Sequence, residues 1–257
     1  MTSRRNLFLA ITLVVTVSLG LVGQSARGAV DRIQKRTYLF KETNENIEYG
    51  VFVSSRVDQK KKSPLVIALH AAGAEPAAIL RPLADPAEKG GYIVAAPMGY
   101  NLRGFYGAAG PGNTRGEPEN LGELSEKDVM NVLNMMRQGF NVDPDRIYIA
   151  GQSMGGGGAI YLGVKYRDTW AAIAASAASI PAQHQPDTLE SIKSVPLILI
   201  HGLDDQAVPI DRIRPWAAKM KALKMTHEFH ELRAVGHSDT IDKGAELIFN
   251  FFNKHSK

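Results

Sequence analysis

Five short apolar runs constrain the fold more than any other feature of this sequence. They are PLVIALH (64–70), YIVAAP (92–97), RIYIAG (146–151), AAIAASA (171–177) and PLILIH (196–201). Each is four to seven residues of aliphatic or β-branched character bounded by turn residues. Such continuity suits a strand covered on both faces, whereas a half-exposed strand alternates. Stretches of helical periodicity separate the runs, which predicts right-handed crossovers and a mostly parallel sheet with helices on both faces. Ahead of them, RTYLFKE (36–42) and NIEYGVFVS (46–54) alternate and are joined by a turn, so an antiparallel hairpin is expected at one sheet edge. THEFHEL (226–232) reads as a last strand, and helices are expected over 209–223 and 239–253.

Several boundaries follow from local signals. Pro82 and Pro86 are expected to break the helix between the first two parallel strands. Ser125 and Asp128 have capping-box spacing, with Val129, Val132, Leu133 and Met136 on one face, so a helix is expected to open at Ser125. Residues 98–124 are rich in Gly, Asn and Pro and form an unusually long loop, of a kind that often carries function. Its rings Tyr100, Phe105 and Tyr106 either cover a bound group or pack into a local core.

Residues 1–28 stand apart. Arg4 and Arg5 precede an apolar run from Leu7 to Val22, and small residues follow. This is the layout of a secretory signal peptide, with cleavage expected after Gly28 and residues 29–257 forming the functional domain. An uncleaved membrane anchor is the alternative. Export to the periplasm or the outside of the cell is therefore expected, with no stable membrane partner after cleavage. The segment holds three arginines and no acid, so its removal takes the net charge from +4 to +1. A near-neutral chain without a basic, aromatic-studded face gives no support to nucleic-acid binding. The chain has no cysteine, which excludes thiol nucleophiles, cysteine-ligated zinc, iron–sulfur clusters and a cysteine-linked lipid anchor.

Ligand sites in parallel sheets lie beyond the carboxyl ends of the strands. GQSMG (151–155) sits at such a place, between a strand and a helix, and matches G-x-S-x-G. In that elbow the serine is lifted above the sheet on a strained turn, and the residues two before and two after it must be small. Ser153 is thus a candidate nucleophile. Gly156–Gly158 cost helix stability, about 1 kcal/mol each against alanine, so close backbone packing against neighbouring strands is expected around them. A phosphate loop would place a lysine after the glycines, and there is none. His70, His201 and His237 all fall at strand ends, and Asp204 and Asp205 follow His201. The order Ser153, Asp205, His237 is the serine–acid–histidine order of one large hydrolase fold.

On these motifs the chain from about residue 36 resembles exported α/β-hydrolases of the polyhydroxybutyrate depolymerase and feruloyl esterase group, and more distantly phospholipase/carboxylesterase and prolyl-oligopeptidase catalytic domains. The group's LHG, G-x-S-x-G, HGxxDxxVP and late GH segments correspond to Leu69–His70–Ala71, 151–155, 201–209 and Gly236–His237. The resemblance implies that Asp205, rather than Asp204, is the triad acid, and that His201 shapes its loop. It also implies an oxyanion hole made by the backbone N–H groups of Ala72 and Met154. Alanine at 71 departs from the pattern and resists positive φ. The expected function is serine-catalysed hydrolysis of a small-molecule or polymer-linked carboxylic ester, acetyl or feruloyl, without a metal or organic cofactor. Peptide hydrolysis, acyl transfer to another acceptor and a non-catalytic binding role on the same fold are the alternatives.

Overall fold

The computed structural model describes residues 28–110 and 117–257. The segment read as a signal peptide lies outside these, apart from Gly28, as does the middle of the 98–124 loop.

Eight strands form one sheet: β1 (Gln34–Phe40), β2 (Glu45–Val53), β3 (Ser63–Leu69), β4 (Ile93–Pro97), β5 (Val142–Gln152), β6 (Ala172–Ser176), β7 (Leu197–Gly202) and β8 (His227–Leu232). Their spatial order is β1-β2-β4-β3-β5-β6-β7-β8. The β1–β2 hairpin is antiparallel and β2 runs antiparallel to β4, while β4, β3, β5, β6, β7 and β8 are mutually parallel. The expected edge hairpin and parallel centre are therefore both present, and the architecture is that of an α/β-hydrolase.

Period-two geometry explains the continuous apolar runs. In β3, Leu65, Ile67 and Leu69 enter one layer, where they meet Val129, Val132 and Leu133 of α2 (Leu121–Gly139), Ile160 of α3 (Met154–Lys165) and Trp216 of α4 (Arg214–Ala222). Val66 and Ala68 face the other layer, with Ile79, Leu80 and Leu83 of α1 (Pro76–Gly90) and Ile248, Phe249 and Phe252 of α5 (Thr240–Phe252).

Two sequence-based boundaries are corrected. First, α1 runs without a break through Pro82 and Pro86. Each proline forfeits one hydrogen bond, but burial of Ile79, Leu80, Leu83, Ala84 and Ala87 on the sheet, with Pro86 itself buried, outweighs that loss. The helix ends instead at Gly91, whose φ of 72° turns the chain so that the Tyr92 N–H donates to the Ala87 carbonyl at 2.9 Å.

Second, α2 opens at Leu121, with Ser125 and Asp128 inside it and fully buried. Their side chains cap a different segment. The Ser125 hydroxyl accepts the Tyr106 N–H at 3.0 Å. One Asp128 oxygen accepts the Gly99 and Tyr100 N–H groups at 2.6 and 3.2 Å, and the other accepts the Tyr38 hydroxyl at 2.5 Å. These bonds hold a loop whose Tyr100, Phe105 and Tyr106 all have positive φ, a costly conformation for side-chain-bearing residues. Of the three rings, Tyr106 belongs to the core, fully buried, and Tyr100 packs on Phe40 with its hydroxyl on Glu45.

Candidate active site

Ser153, Asp205 and His237 come from the ends of β5, β7 and β8 and converge above the carboxyl edge of the sheet. Ser153 adopts φ 55° and ψ −117° between β5 and α3. A serine pays on the order of 1–3 kcal/mol to stay there, and the surroundings over-determine it. Its N–H donates to the Ser176 carbonyl at 2.9 Å, and its carbonyl accepts the Gly157 and Ser179 N–H groups at 3.1 and 2.9 Å. The flanking glycines are obligatory: a Cβ on Gly151 would stand 2.0 Å from the Gly155 carbonyl oxygen, and one on Gly155 2.0 Å from that of Leu69.

The further glycines are also close-packed. A Cβ at Gly156 would meet the Ala178 backbone at 2.9 Å, one at Gly157 the Ser179 carbonyl oxygen at 2.1 Å, and one at Gly158 the Tyr106 ring at 2.6 Å. The partners are thus mainly the chain beyond β6 and a ring of the long loop, with the strands represented by the Ser176 carbonyl at the end of β6, 3.1 Å from a Cβ on Gly156.

His237 Nε2 lies 2.8 Å from Ser153 Oγ, and its Nδ1 lies 2.7 Å from Asp205 Oδ2. The Asp205 side chain is wholly buried and that of His237 is 23% exposed, so the acid is shielded while the imidazole faces the opening. Asp205 Oδ1 accepts the Ala207 and Val208 N–H groups at 2.9 and 2.8 Å. His201, buried beneath, places Nε2 2.8 Å from the Val208 carbonyl oxygen and 3.3 Å from Asp205 Oδ2, which braces the loop that carries the acid. Asp204 is exposed, and its N–H donates to the Val235 carbonyl. Of the remaining described histidines, His184 lies on the Ala108 carbonyl, His227 on that of Met225, His230 on Glu228 and His255 against the Phe251 ring.

Met154 follows Ser153 in the first turn of α3, and Ala72 lies on the loop after β3, the strand paired with β5. Among the described residues, neither N–H has an acceptor. The positive φ of the β3 loop falls on Gly73, at 76°, so alanine at 71 costs no left-handed strain. Two side chains that the sequence placed at a strand end and in the long loop, without this role, hold this loop. His70, whose pKa burial pushes down, places Nδ1 2.8 Å from the Ala71 carbonyl and Nε2 2.9 Å from that of Met98. The buried Tyr106 hydroxyl donates to the His70 carbonyl at 3.2 Å.

With this geometry in view, the sequence comparison is decisive for kinship. The profile of the phospholipase/carboxylesterase family matches residues 120–256. This chain belongs to that family. Among curated proteins it is 26% identical over 162 residues to YfhR, an uncharacterized protein of Escherichia coli O157:H7, covering 56% of this chain and 52% of that one. The chain thus spans about half the length of this relative. Among solved structures it is similar to a thermostable esterase (TM-score 0.69, 22% identity, 89% of this chain and 64% of that one). It also resembles a ferulic acid esterase of Anaeromyces mucronatus in complex with ferulic acid (TM-score 0.66, 17% identity, 87% and 90%). An S-formylglutathione hydrolase of Agrobacterium tumefaciens is comparable (TM-score 0.68, 14% identity, 88% and 95%). At these identities the structural likenesses speak for the fold.

Two cavities of this family member are lined in part by the same residues. One of about 390 Å³ lies between the chain after β6 and the chain after β7, lined by Ser179, Ile180, Val208, Arg212 and Trp216. It shares Ile180, His184 and Trp216 with an apolar cavity of about 260 Å³ against Gly157, Ile160 and Tyr161. A further cavity of about 250 Å³ is lined by His70, Ala71, Arg81, Gln152 and Ser238. A larger cavity of about 570 Å³, around Arg167, Lys193, Pro196 and Lys257, opens where β6 and β7 begin, at the wrong end of the sheet for this chemistry. Among the described residues, no cluster of three or more His, Asp or Glu is arranged to hold a metal ion, and no helix is long and apolar enough to cross a membrane.

Proposed function

We propose that this protein is a serine hydrolase that cleaves carboxylic esters, with Ser153 as nucleophile, His237 as general base and acid, and Asp205 as the residue that orients His237. One observation carries the reading: a single imidazole spans 2.8 Å to a strained serine hydroxyl and 2.7 Å to a buried carboxylate. With Nδ1–H donating to Asp205, Nε2 is left as the acceptor for the Ser153 proton.

As Ser153 Oγ attacks the ester carbonyl carbon, its proton passes to His237 Nε2, and Asp205 stabilises the resulting imidazolium. The carbonyl oxygen becomes an oxyanion, and the N–H groups of Ala72 and Met154 are the proposed donors to it, each typically worth about 3–4 kcal/mol in such a hole. Collapse breaks the bond to the leaving alkoxide, which takes the proton from Nε2 and departs as an alcohol. Water then repeats the sequence on the acyl-enzyme, giving the carboxylic acid and free serine. Acetyl and feruloyl esters are the proposed substrates, supported by the sequence motifs and by likeness to ferulic acid esterase. The signal-peptide reading of residues 1–28 places this activity outside the cytoplasm.

The test is Ser153→Ala. The wild-type protein is expected to hydrolyse p-nitrophenyl butyrate and to be labelled by a fluorophosphonate, and the variant to do neither while melting at the wild-type temperature. Undiminished turnover by Ser153→Ala rejects the assignment.

A further inference from the structure

His237 follows β8, the outermost strand of the sheet, on a short turn whose first part, with Val235 buried, packs on Gly202, while the part beyond Gly236 is open. Ser238 and Asp239 are exposed, and a Cβ added to Gly236 would find nothing within 4 Å. Polar tethers fix the turn instead. On its inner side the Asp204 N–H donates to the Val235 carbonyl at 3.1 Å, and at its far end the Thr240 hydroxyl donates to the Gly236 carbonyl at 2.8 Å. Between them, the carbonyls of His237 and Ser238 receive the side-chain amide of Gln152, at 3.3 and 3.0 Å.

Gln152 is the last residue of β5, adjacent in sequence to Ser153. Its backbone is fixed by parallel pairing in which Gln152 lies opposite Ser176. One residue therefore spans from the strand that carries the hydroxyl to the peptide that carries the imidazole. A displacement of the His237 backbone away from β5 stretches both of these bonds before it lengthens the 2.8 Å contact between Nε2 and Oγ.

The geometry points to Gln152 as a positioning residue of this site: its two amide hydrogens hold the His237 turn so that the imidazole stays aligned with Ser153. This rests on the proposed roles of Ser153 and His237. Gln152 itself contributes no proton to the reaction. Its carboxamide serves as a short strut of fixed length, and the donor matters more than the volume. Since a misplacement of about 1 Å in a reacting group costs on the order of 100-fold in rate, loss of the strut is expected to act on kcat rather than on binding.

Three variants of the full chain test this with p-nitrophenyl butyrate, a fluorophosphonate and thermal melting. Gln152→Met keeps the volume and removes both donors; kcat and the labelling rate are expected to fall about 10- to 100-fold, with KM within about twofold and melting nearly unchanged. Gln152→Lys restores a donor of similar reach and is expected to recover most of that loss. Gln152→Glu aims a carboxylate at the same carbonyls and is expected to be as slow as the Met variant, with the acid limb of its kcat/KM profile moved to higher pH because a new negative charge favours the imidazolium. Wild-type kcat in Gln152→Met, or no recovery in Gln152→Lys, would overturn the positioning role while leaving the nucleophile assignment intact. A wild-type protein that fails to label at Ser153 would overturn both.

Discussion

Gly157→Ala sets two physical arguments against each other. In an exposed helix the change is favourable by about 1 kcal/mol, because alanine loses less backbone freedom. Here the new methyl carbon would stand 2.1 Å from the Ser179 carbonyl oxygen, against the 3.0 Å below which such contacts essentially do not occur, so the atoms must part by about 0.9 Å. Neither side yields freely. Gly157 is within the first turn of α3, and Ser179 is tied by its N–H to the Ser153 carbonyl at 2.9 Å. Overpacking of this kind costs about 1–3 kcal/mol, and backbone on both sides puts it toward the upper end. After the propensity gain, a net loss of about 2 kcal/mol is expected, or about 4–8 °C in melting temperature for a chain of this size. The effect on catalysis is larger, because the displaced segment is bonded to the residue that carries the proposed nucleophile; a fall in kcat of about 10- to 100-fold is expected. Gly139→Ala is the control. It ends α2 with nothing within 4 Å of the added carbon, and should gain stability and keep full activity. Calorimetry and p-nitrophenyl butyrate turnover on both variants decide the matter. A Gly157→Ala protein that melts at or above the wild-type temperature with full turnover refutes the packing argument.

Two further changes probe the buried acids. Asp205→Asn retains the volume but removes the carboxylate that fixes the His237 tautomer, so kcat for p-nitrophenyl butyrate is expected to fall by about 10³–10⁴ with the melting curve little altered; loss of less than tenfold would remove Asp205 from the proposed triad. Burial lifts the Asp128 carboxyl from its ordinary 3.8 to about 6, against the pull of the Tyr38, Tyr100 and Gly99 hydrogen bonds. The folded chain then holds this proton more tightly than the unfolded chain, so the contribution of Asp128 to stability falls as pH rises from about 4 to about 6 and is flat on either side. Asp128→Asn should remove that slope from urea midpoints measured between pH 4 and 7, and an equal slope in both proteins would show that the carboxyl titrates normally.

The strands were legible because burial on both faces leaves a mark that needs no knowledge of the partners. PLVIALH and PLILIH became β3 and β7 with ends displaced by a single residue, since the same apolar run that demands two covering layers also sets the strand's length. The chain positions that converge on the site were legible for a related reason. In a parallel sheet every strand's carboxyl end points to the same edge, so Ser153, Asp205 and His237, each just past a strand, had one meeting place open to them. The bracing of that site was not legible. Ser125 and Asp128 keep capping-box spacing, yet the donors they satisfy belong to residues 99, 100 and 106, and no local rule reports a partner twenty or thirty residues away.

The glycines show where that boundary lies. From sequence, Gly151 and Gly155 are required by the elbow itself; a Cβ on Gly151 would stand 2.0 Å from the Gly155 carbonyl oxygen, while Gly155 is pressed as closely on the Leu69 carbonyl. Gly158 reads the same in sequence, but its reason is Tyr106, a ring delivered by a loop with three left-handed residues and held there by Ser125. The same ring bonds the carbonyl of His70, next to the loop that carries Ala72. The buried hydroxyl of Ser125 is therefore linked to the first turn of α3 and to the proposed oxyanion loop through a single side chain. Among the described residues this network makes no hydrogen bond to the Ser153 hydroxyl, yet it fixes two of the backbone segments near it.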